Sequence, residues 1–137
     1  MVCIYCGSKT QVTNSRQQKR LNHGWRRREC SGCGAVFTTI EEADYGSSLA
    51  VRPLDTAKHS HIKPFSRDKL FVSVLKAVGH RKTAVADASA LTATIIANLL
   101  AGSTAAVLSP DDIIKSTLVV LGNFDAVAAL QYDAYHR

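Results

Sequence analysis

Trp25-Arg26-Arg27-Arg28-Glu29-Cys30-Ser31-Gly32-Cys33-Gly34 decides how the chain begins to fold. Its Cys-x2-Cys pair repeats one at the start, Cys3-Ile4-Tyr5-Cys6-Gly7, and 23 residues separate the two. A glycine follows each pair, and Gly32 sits inside the second. Two such knuckles supply four thiolates, a donor set that suits tetrahedral zinc at about 2.3 Å per sulfur. Zinc binds as the thiol protons leave, and small glycines let backbone amides approach the sulfurs. Two other uses of the pairs weigh less. A redox Cys-x2-Cys needs a βαβ setting, which residues 1–40 do not offer. Disulfides need an oxidising compartment, and the first 15 residues hold two Cys and no apolar core of a secretory signal. One structural zinc on Cys3, Cys6, Cys30 and Cys33 is therefore expected. His23 reads as a solvated turn residue rather than a ligand.

Between the knuckles the sequence predicts a β-hairpin. Thr10–Gln18 is one arm, Asn22-His23-Gly24 the turn and Trp25–Glu29 the other arm. Strand alternation puts Trp25 and Arg27 on one face and Arg26 and Arg28 on the other. The hairpin gathers Arg16, Lys19, Arg20, Arg26, Arg27 and Arg28 around Trp25. Guanidinium forks match phosphates and guanine edges, and an exposed Trp can stack. The plainer reading is a solvated edge strand kept from aggregating by its charge. Charge placement favours nucleic acid. Residues 1–40 hold seven basic residues and one acidic, whereas residues 41–137 hold ten of each, so the whole net charge of +6 sits in the head.

That head is too small to fold on apolar burial alone, which is a second reason to expect a metal. The stretch Glu41-Glu42-Ala43-Asp44-Tyr45-Gly46-Ser47-Ser48 reads as a linker. After it, Leu49–Arg52 and a piece ending at Ile62 are expected to pair as a short hairpin. Four helices of 13–17 residues follow. The first starts at Ser66 and buries Leu70, Phe71, Val74 and Ala77 or Val78. The second runs over 85–101 with Ala88, Leu91, Ile95 and Leu99 on one stripe. The third opens with Ser109 as cap, Pro110 and two acids in its first turn. The last begins at Phe124 or Asp125. Apolar residues make up 46 % of the 137, enough for a core, and no uncharged apolar run of membrane-spanning length is expected. The class is α+β, a small N-terminal β module followed by a mainly helical domain.

The segment from Trp25 to Glu41, with Cys3-Ile4-Tyr5-Cys6 and Asn14-Ser15-Arg16, resembles the NrdR family of bacterial repressors of ribonucleotide reductase genes. That family joins a zinc ribbon to an ATP-cone, a helical nucleotide-sensing domain. Lys63-Pro64-Phe65-Ser66-Arg67-Asp68-Lys69-Leu70 is similar to the segment entering the first cone helix. Arg81 stands where the family has a basic residue, and Asp125-Ala126-Val127-Ala128 with Tyr132 resembles the last cone helix. The chain departs from the family at Ile4-Tyr5 (usually Pro-Phe), Asn14 (usually Asp), Val36 (usually basic) and Lys63 (usually acidic). It also has a longer 51–64 stretch.

The resemblance implies a zinc ribbon over 1–45 and an ATP-cone-like domain over 47–137. It implies double-stranded DNA as partner, ATP or dATP as effector, a homo-oligomer, a cytoplasmic location, no membrane and no catalytic role. Arg52, Lys58, Lys63, Lys69 and Arg81 suit a polyphosphate by charge, and the resemblance adds Val51 and Tyr132 to that nucleotide site. The rival reading is a nucleic-acid-binding or protein-docking adaptor whose helical domain only oligomerises. An enzyme is disfavoured, because no nucleophile–base pair, paired carboxylates or Walker loop is present in the sequence. His59 and His61 read as a solvated loop rather than a metal pair.

Overall fold

The computed structural model describes residues 1–20, 22–52, 61–103 and 106–136. They form two units, Met1–Ala43 and Asp44–Arg137.

In the first unit, β1 (Thr10–Gln18) pairs antiparallel with β2 (His23–Cys30). A third strand, β3 (Val36–Glu41), completes a sheet in the order β1-β2-β3, which the two-armed sequence reading does not contain. Its run Val36-Phe37-Thr38-Thr39-Ile40 is β-branched or aromatic throughout, the composition that suits a pleated surface. The turn also lies earlier than expected. His23 and Gly24 already belong to β2, opposite Gln18 and Gln17. Asn22 makes the reversal at φ 49°, a left-handed conformation that Asn tolerates better than most residues, and its N–H donates to the Lys19 carbonyl at 3.4 Å. The register slips between Val12 and Asn14, leaving Thr13 as a β-bulge. Among its described residues, only Cys3, Cys30 and Phe37 form a buried apolar cluster.

The supposed linker is structured at both ends. Glu41 closes β3, and Tyr45–Ser48 forms a single helical turn, α1. Asp44 caps it by accepting the N–H groups of Gly46 and Ser47 at 3.1 and 3.3 Å.

In the second unit, β4 (Ala50–Val51) pairs antiparallel with β5 (Lys63–Pro64), so a hairpin forms as expected but its second strand lies just beyond the piece ending at Ile62. It also pairs in parallel with β6 (Val107–Leu108), a strand too short for a sequence signal. Four helices follow the pattern of their caps: α2 (Arg67–Ala77), α3 (Ala84–Gly102), α4 (Pro110–Phe124) and α5 (Ala126–His136). Their lengths spread from 11 to 19 residues, wider than expected. Ser66 accepts the Lys69 N–H at 3.3 Å, and Ser109 and Asp112 form a reciprocal capping box. Helix α3 packs on α2 and α4, and α5 packs on α4 and α2, which closes a ring around one core. Val74, Ala77, Val78, Ala88, Ile95, Leu121 and Ala128 are fully buried there. By length and composition α3 is apolar enough to cross a membrane, although Asp87 interrupts it in the first turn. In this fold it buries Ala88, Leu91, Thr92, Ile95, Ile96 and Leu99 against its neighbours, as the helix shared by two core interfaces.

Candidate metal centre and ligand-binding surfaces

The two knuckles are built alike. In each, the first Cys carbonyl accepts the N–H of the residue four on, Gly7 at 3.0 Å and Gly34 at 3.1 Å. Both glycines lie in the left-handed region, at φ 73° and 69°, where a side chain is strained. The first Cys N–H then donates five residues on, Cys3 to Ser8 at 2.8 Å and Cys30 to Ala35 at 3.0 Å. Two further bonds tie the knuckles together, the Ser31 N–H and hydroxyl both donating to the Lys9 carbonyl at 3.1 and 2.9 Å.

This frame brings all four Sγ atoms within 4.8 Å of one another. Cys3 and Cys33 stand 3.8 Å apart and Cys6 and Cys30 3.4 Å, with all four free of disulfides. A tetrahedron with Zn–S of about 2.3 Å has edges of about 3.8 Å, so the spacing fits the ion. Backbone N–H groups already face the sulfurs. Tyr5 donates to Cys3 at 3.4 Å, and Gly32 and Cys33 donate to Cys30 at 3.3 and 3.4 Å. The electrostatics ask for a cation. Hydrogen bonding from the Ser8 side chain and amide holds the Cys6 thiol down at about 6. Amides of Cys6 and Tyr5 lower Cys3. The amide of Ala35 also pulls Cys33 down, but its neighbours Cys6 and Cys30, with burial, push it up to about 12. Four sulfurs this close cannot all ionise without a positive charge among them, and a divalent metal supplies it. The four cysteines are placed to bind one zinc. His23 is not in the cluster and lies opposite Gln18 in the sheet.

The basic hairpin residues fall on two faces. Arg16, Trp25 and Ile40 lie abreast across the three strands, as do Asn14, Arg27 and Thr38. The Arg16 guanidinium lies 5.8 Å from the Trp25 ring centre. Arg26 and Arg28 point the other way. Arg26 pairs with Glu41, and Arg28 Nε donates to the Thr39 hydroxyl at 3.1 Å. Lys19 and Arg20, exposed, lie at the turn beyond β1. Thr39 and Glu41, which fix the inner arginines, have no signal of their own before β3 is known.

The second unit holds a cavity of about 370 Å³ lined by Val51, Lys63, Lys69 and Tyr132, four of the seven residues expected at a nucleotide site. Phe65, Leu70, Pro110, Ile113 and Ile114 make it largely apolar, and Ser66, Ser73 and His136 add polar atoms. His136 stacks on Tyr132 with ring centres 4.0 Å apart and shares a hydrogen bond with Ser73 at 3.2 Å. Sequence reasoning missed His136, although it stands one helical turn beyond Tyr132. Arg52 and Arg81 do not line this cavity. Arg52 is exposed, and its N–H donates to Leu108 at 3.0 Å. Arg81 is held by Asp87 at 2.8 Å and Asp125 at 3.2 Å, over the Phe124 ring at 4.6 Å. Those carboxylates raise its pKa. Lys58, with His59, lies outside the described residues.

Fold and metal centre together define a zinc-ribbon protein with an appended helical domain. A family model described as "Transcriptional repressor NrdR-like, N-terminal domain" matches residues 1–41. Similarity extends further among curated proteins, of which the three that follow are each named transcriptional repressor NrdR. The protein from Parafrankia sp. is 35 % identical over 99 % of this chain and 69 % of its own length. That from Desulfitobacterium hafniense is 30 % identical over the whole chain and 86 % of its own length. One from Symbiobacterium thermophilum is 38 % identical over 59 % of this chain and 51 % of its own length. The chain belongs to the NrdR family of transcriptional repressors.

Proposed function

We propose that this chain is a zinc-dependent, nucleotide-responsive repressor that binds double-stranded DNA upstream of ribonucleotide reductase genes in the cytoplasm. In this reading ATP or dATP sets its oligomeric state and DNA affinity. The carrying observation is that one chain joins a four-cysteine ribbon with an arginine-lined sheet to a helical unit with a cation-bearing apolar cavity. A volume of about 370 Å³ lies in the usual range for small-molecule sites. Lys63 and Lys69 give it the sign for a polyphosphate, and the stacked Tyr132 and His136 form part of its wall. No Asp or Glu lines it among the described residues. Assembly has support in Val119 on α4 and Val127 and Leu130 on α5, which are large, apolar and exposed. Coupling would arise if the nucleotide favours one assembly over another, since a ligand shifts an equilibrium only by its differential affinity. Paired ribbons would then add their weak individual affinities.

Calorimetric titration of the zinc-loaded chain with ATP and with dATP tests this, with oligomer size measured alongside. Micromolar binding and a change in size are expected, and Lys69→Ala should weaken binding while leaving zinc content unchanged. A chain that binds DNA but no nucleotide at millimolar concentration would instead be an adaptor whose helical unit only assembles. The withdrawal of Arg81 into carboxylate pairs is the observation that favours that alternative.

A further inference from the structure

We infer that the ribbon engages duplex DNA through one face of its sheet, the face carrying Arg16, Trp25 and Arg27, while Arg26 and Arg28 serve the fold. This rests on the DNA-binding reading above and adds which residues do the reading. The register separates the two sets. Arg28 stands opposite Phe37, and Arg26 and Arg28 share the alternation of Cys30, so their face is the one that bears the small buried cluster. One nitrogen of each is engaged within the sheet, Arg26 Nη2 by Glu41 and Arg28 Nε by the Thr39 hydroxyl, and Arg26 Nε is buried without a hydrogen-bond partner among the described residues. Arg26 and Arg28 are half-buried and each already held by a neighbour on the sheet, so they are less free to meet a phosphate than the exposed Arg27. On the opposite face Arg27 is exposed, flanked by the short polar side chains of Asn14 and Thr38.

The bulge at Thr13 creates this division. Without the bulge, with Thr13 paired in regular register, Arg16 would stand opposite Gly24, on the same face as Arg26 and Arg28. With it, Arg16 moves opposite Trp25 and its guanidinium lies over the indole. Bulges commonly re-aim a side chain in this way. The Thr13 hydroxyl donates to the Arg27 carbonyl at 3.3 Å, which fastens the bulge to the strand it faces. Two arginines and an indole are thereby gathered on one face of the three-stranded sheet, where guanidiniums can meet phosphates or base edges. Stacking restrains Arg16 before binding, so less side-chain entropy is lost when it meets a phosphate or base edge.

Trp25 is the only tryptophan, so its emission reports this face directly. The experiment titrates the zinc-loaded full chain with a mixed-sequence duplex of about 30 base pairs at low salt and repeats the titration across salt concentrations. Quenching of Trp25 emission on binding is expected. Arg16→Ala and Arg27→Ala should each weaken binding about tenfold and flatten the slope of log K against log salt by about one, with zinc content unchanged. Arg26→Gln and Arg28→Gln should keep the wild-type slope and lower the thermal midpoint instead. A flattened slope in those two variants, or unaltered Trp25 emission on a chain that does bind, overturns the assignment of the face and leaves DNA binding intact. A wild-type chain with no affinity for the duplex at low salt overturns the DNA-binding reading and the face with it.

Discussion

At the scale of single residues, the metal centre depends on small side chains as much as on sulfur. A Cβ on Gly32 would stand 2.5 Å from the Ser8 hydroxyl and 2.8 Å from its Cβ, so an alanine there must drive the two knuckles apart. Ser8 is also the group that holds the Cys6 thiol low. Gly32→Ala is therefore expected to weaken zinc binding by about 10- to 100-fold, the usual cost of disturbing groups behind metal ligands. Competition with a chromophoric chelator measures it, and unchanged affinity would show that the knuckles yield freely. The four ligands themselves were legible from spacing alone, because thiolates have few other uses in such a pattern. Ser8, Thr39 and Glu41 were not. Their roles come from contacts across strands, and nothing local in the sequence marks a serine or threonine as the one that meets a sulfur or a guanidinium.

At the scale of elements, local chemistry marked the helices well. Ser66 and Ser109 announce their helices through oxygens that satisfy otherwise unpaired N–H groups, and a cap is a property of a few adjacent residues. Strands β5 and β6 escape such reading because two residues carry no period, and their pairing partners lie far along the chain. Helix α3 adds an oddity. The Thr92 hydroxyl is fully buried and makes no hydrogen bond among the described residues, whereas the buried Thr117 of α4 donates to the Ile113 carbonyl at 2.7 Å. Thr92→Val keeps the shape and removes an unpaired polar group, so it should stabilise the helical unit by about 1 kcal/mol. The same change at Thr117 breaks a bond and should not stabilise. Denaturant unfolding of both variants separates the two outcomes. The start of α5 gives a pH dependence. Hydrogen bonding to His80, to the Val127 and Ala128 amides and to Arg81 lowers the Asp125 carboxyl from 3.8 to about 2. A carboxyl depressed on folding contributes fully above its unfolded value and loses that contribution as pH falls through its folded one. Thermal midpoints should therefore decline from about pH 4 toward pH 2. Asp125→Asn, which retains a capping oxygen, should make that decline shallower. Asp87, held low by Arg81 and Thr83, keeps part of the slope.

At the scale of the whole molecule, the two units obtain their stability from different sources. Among the described residues of Asp44–Arg137, sixteen buried apolar side chains form one cluster, enough for a core of ordinary kind. Among the described residues of Met1–Ala43 the buried apolar set is Cys3, Cys30 and Phe37, two of which belong to the four-cysteine metal site. So small a cluster cannot offset the chain entropy of about 40 ordered residues, at roughly 1–2 kcal/mol each, and metal binding must supply part of the difference. The charge pattern sharpens the contrast, since the whole net +6 lies in the metal-dependent part and repels itself. Removal of zinc with a strong chelator should therefore unfold the ribbon and leave the helical unit folded. Circular dichroism at helical wavelengths should change little, while Trp25 emission shifts to that of a solvated indole and the amide exchange protection of β1, β2 and β3 disappears. Re-addition of zinc should restore both signals. Cys30→Ser should resemble the chelated protein without chelator, and should lose DNA binding while nucleotide binding survives. If the helices melted together with the ribbon, the two units would share stability, and the small cluster around Phe37 would no longer account for what the metal holds together.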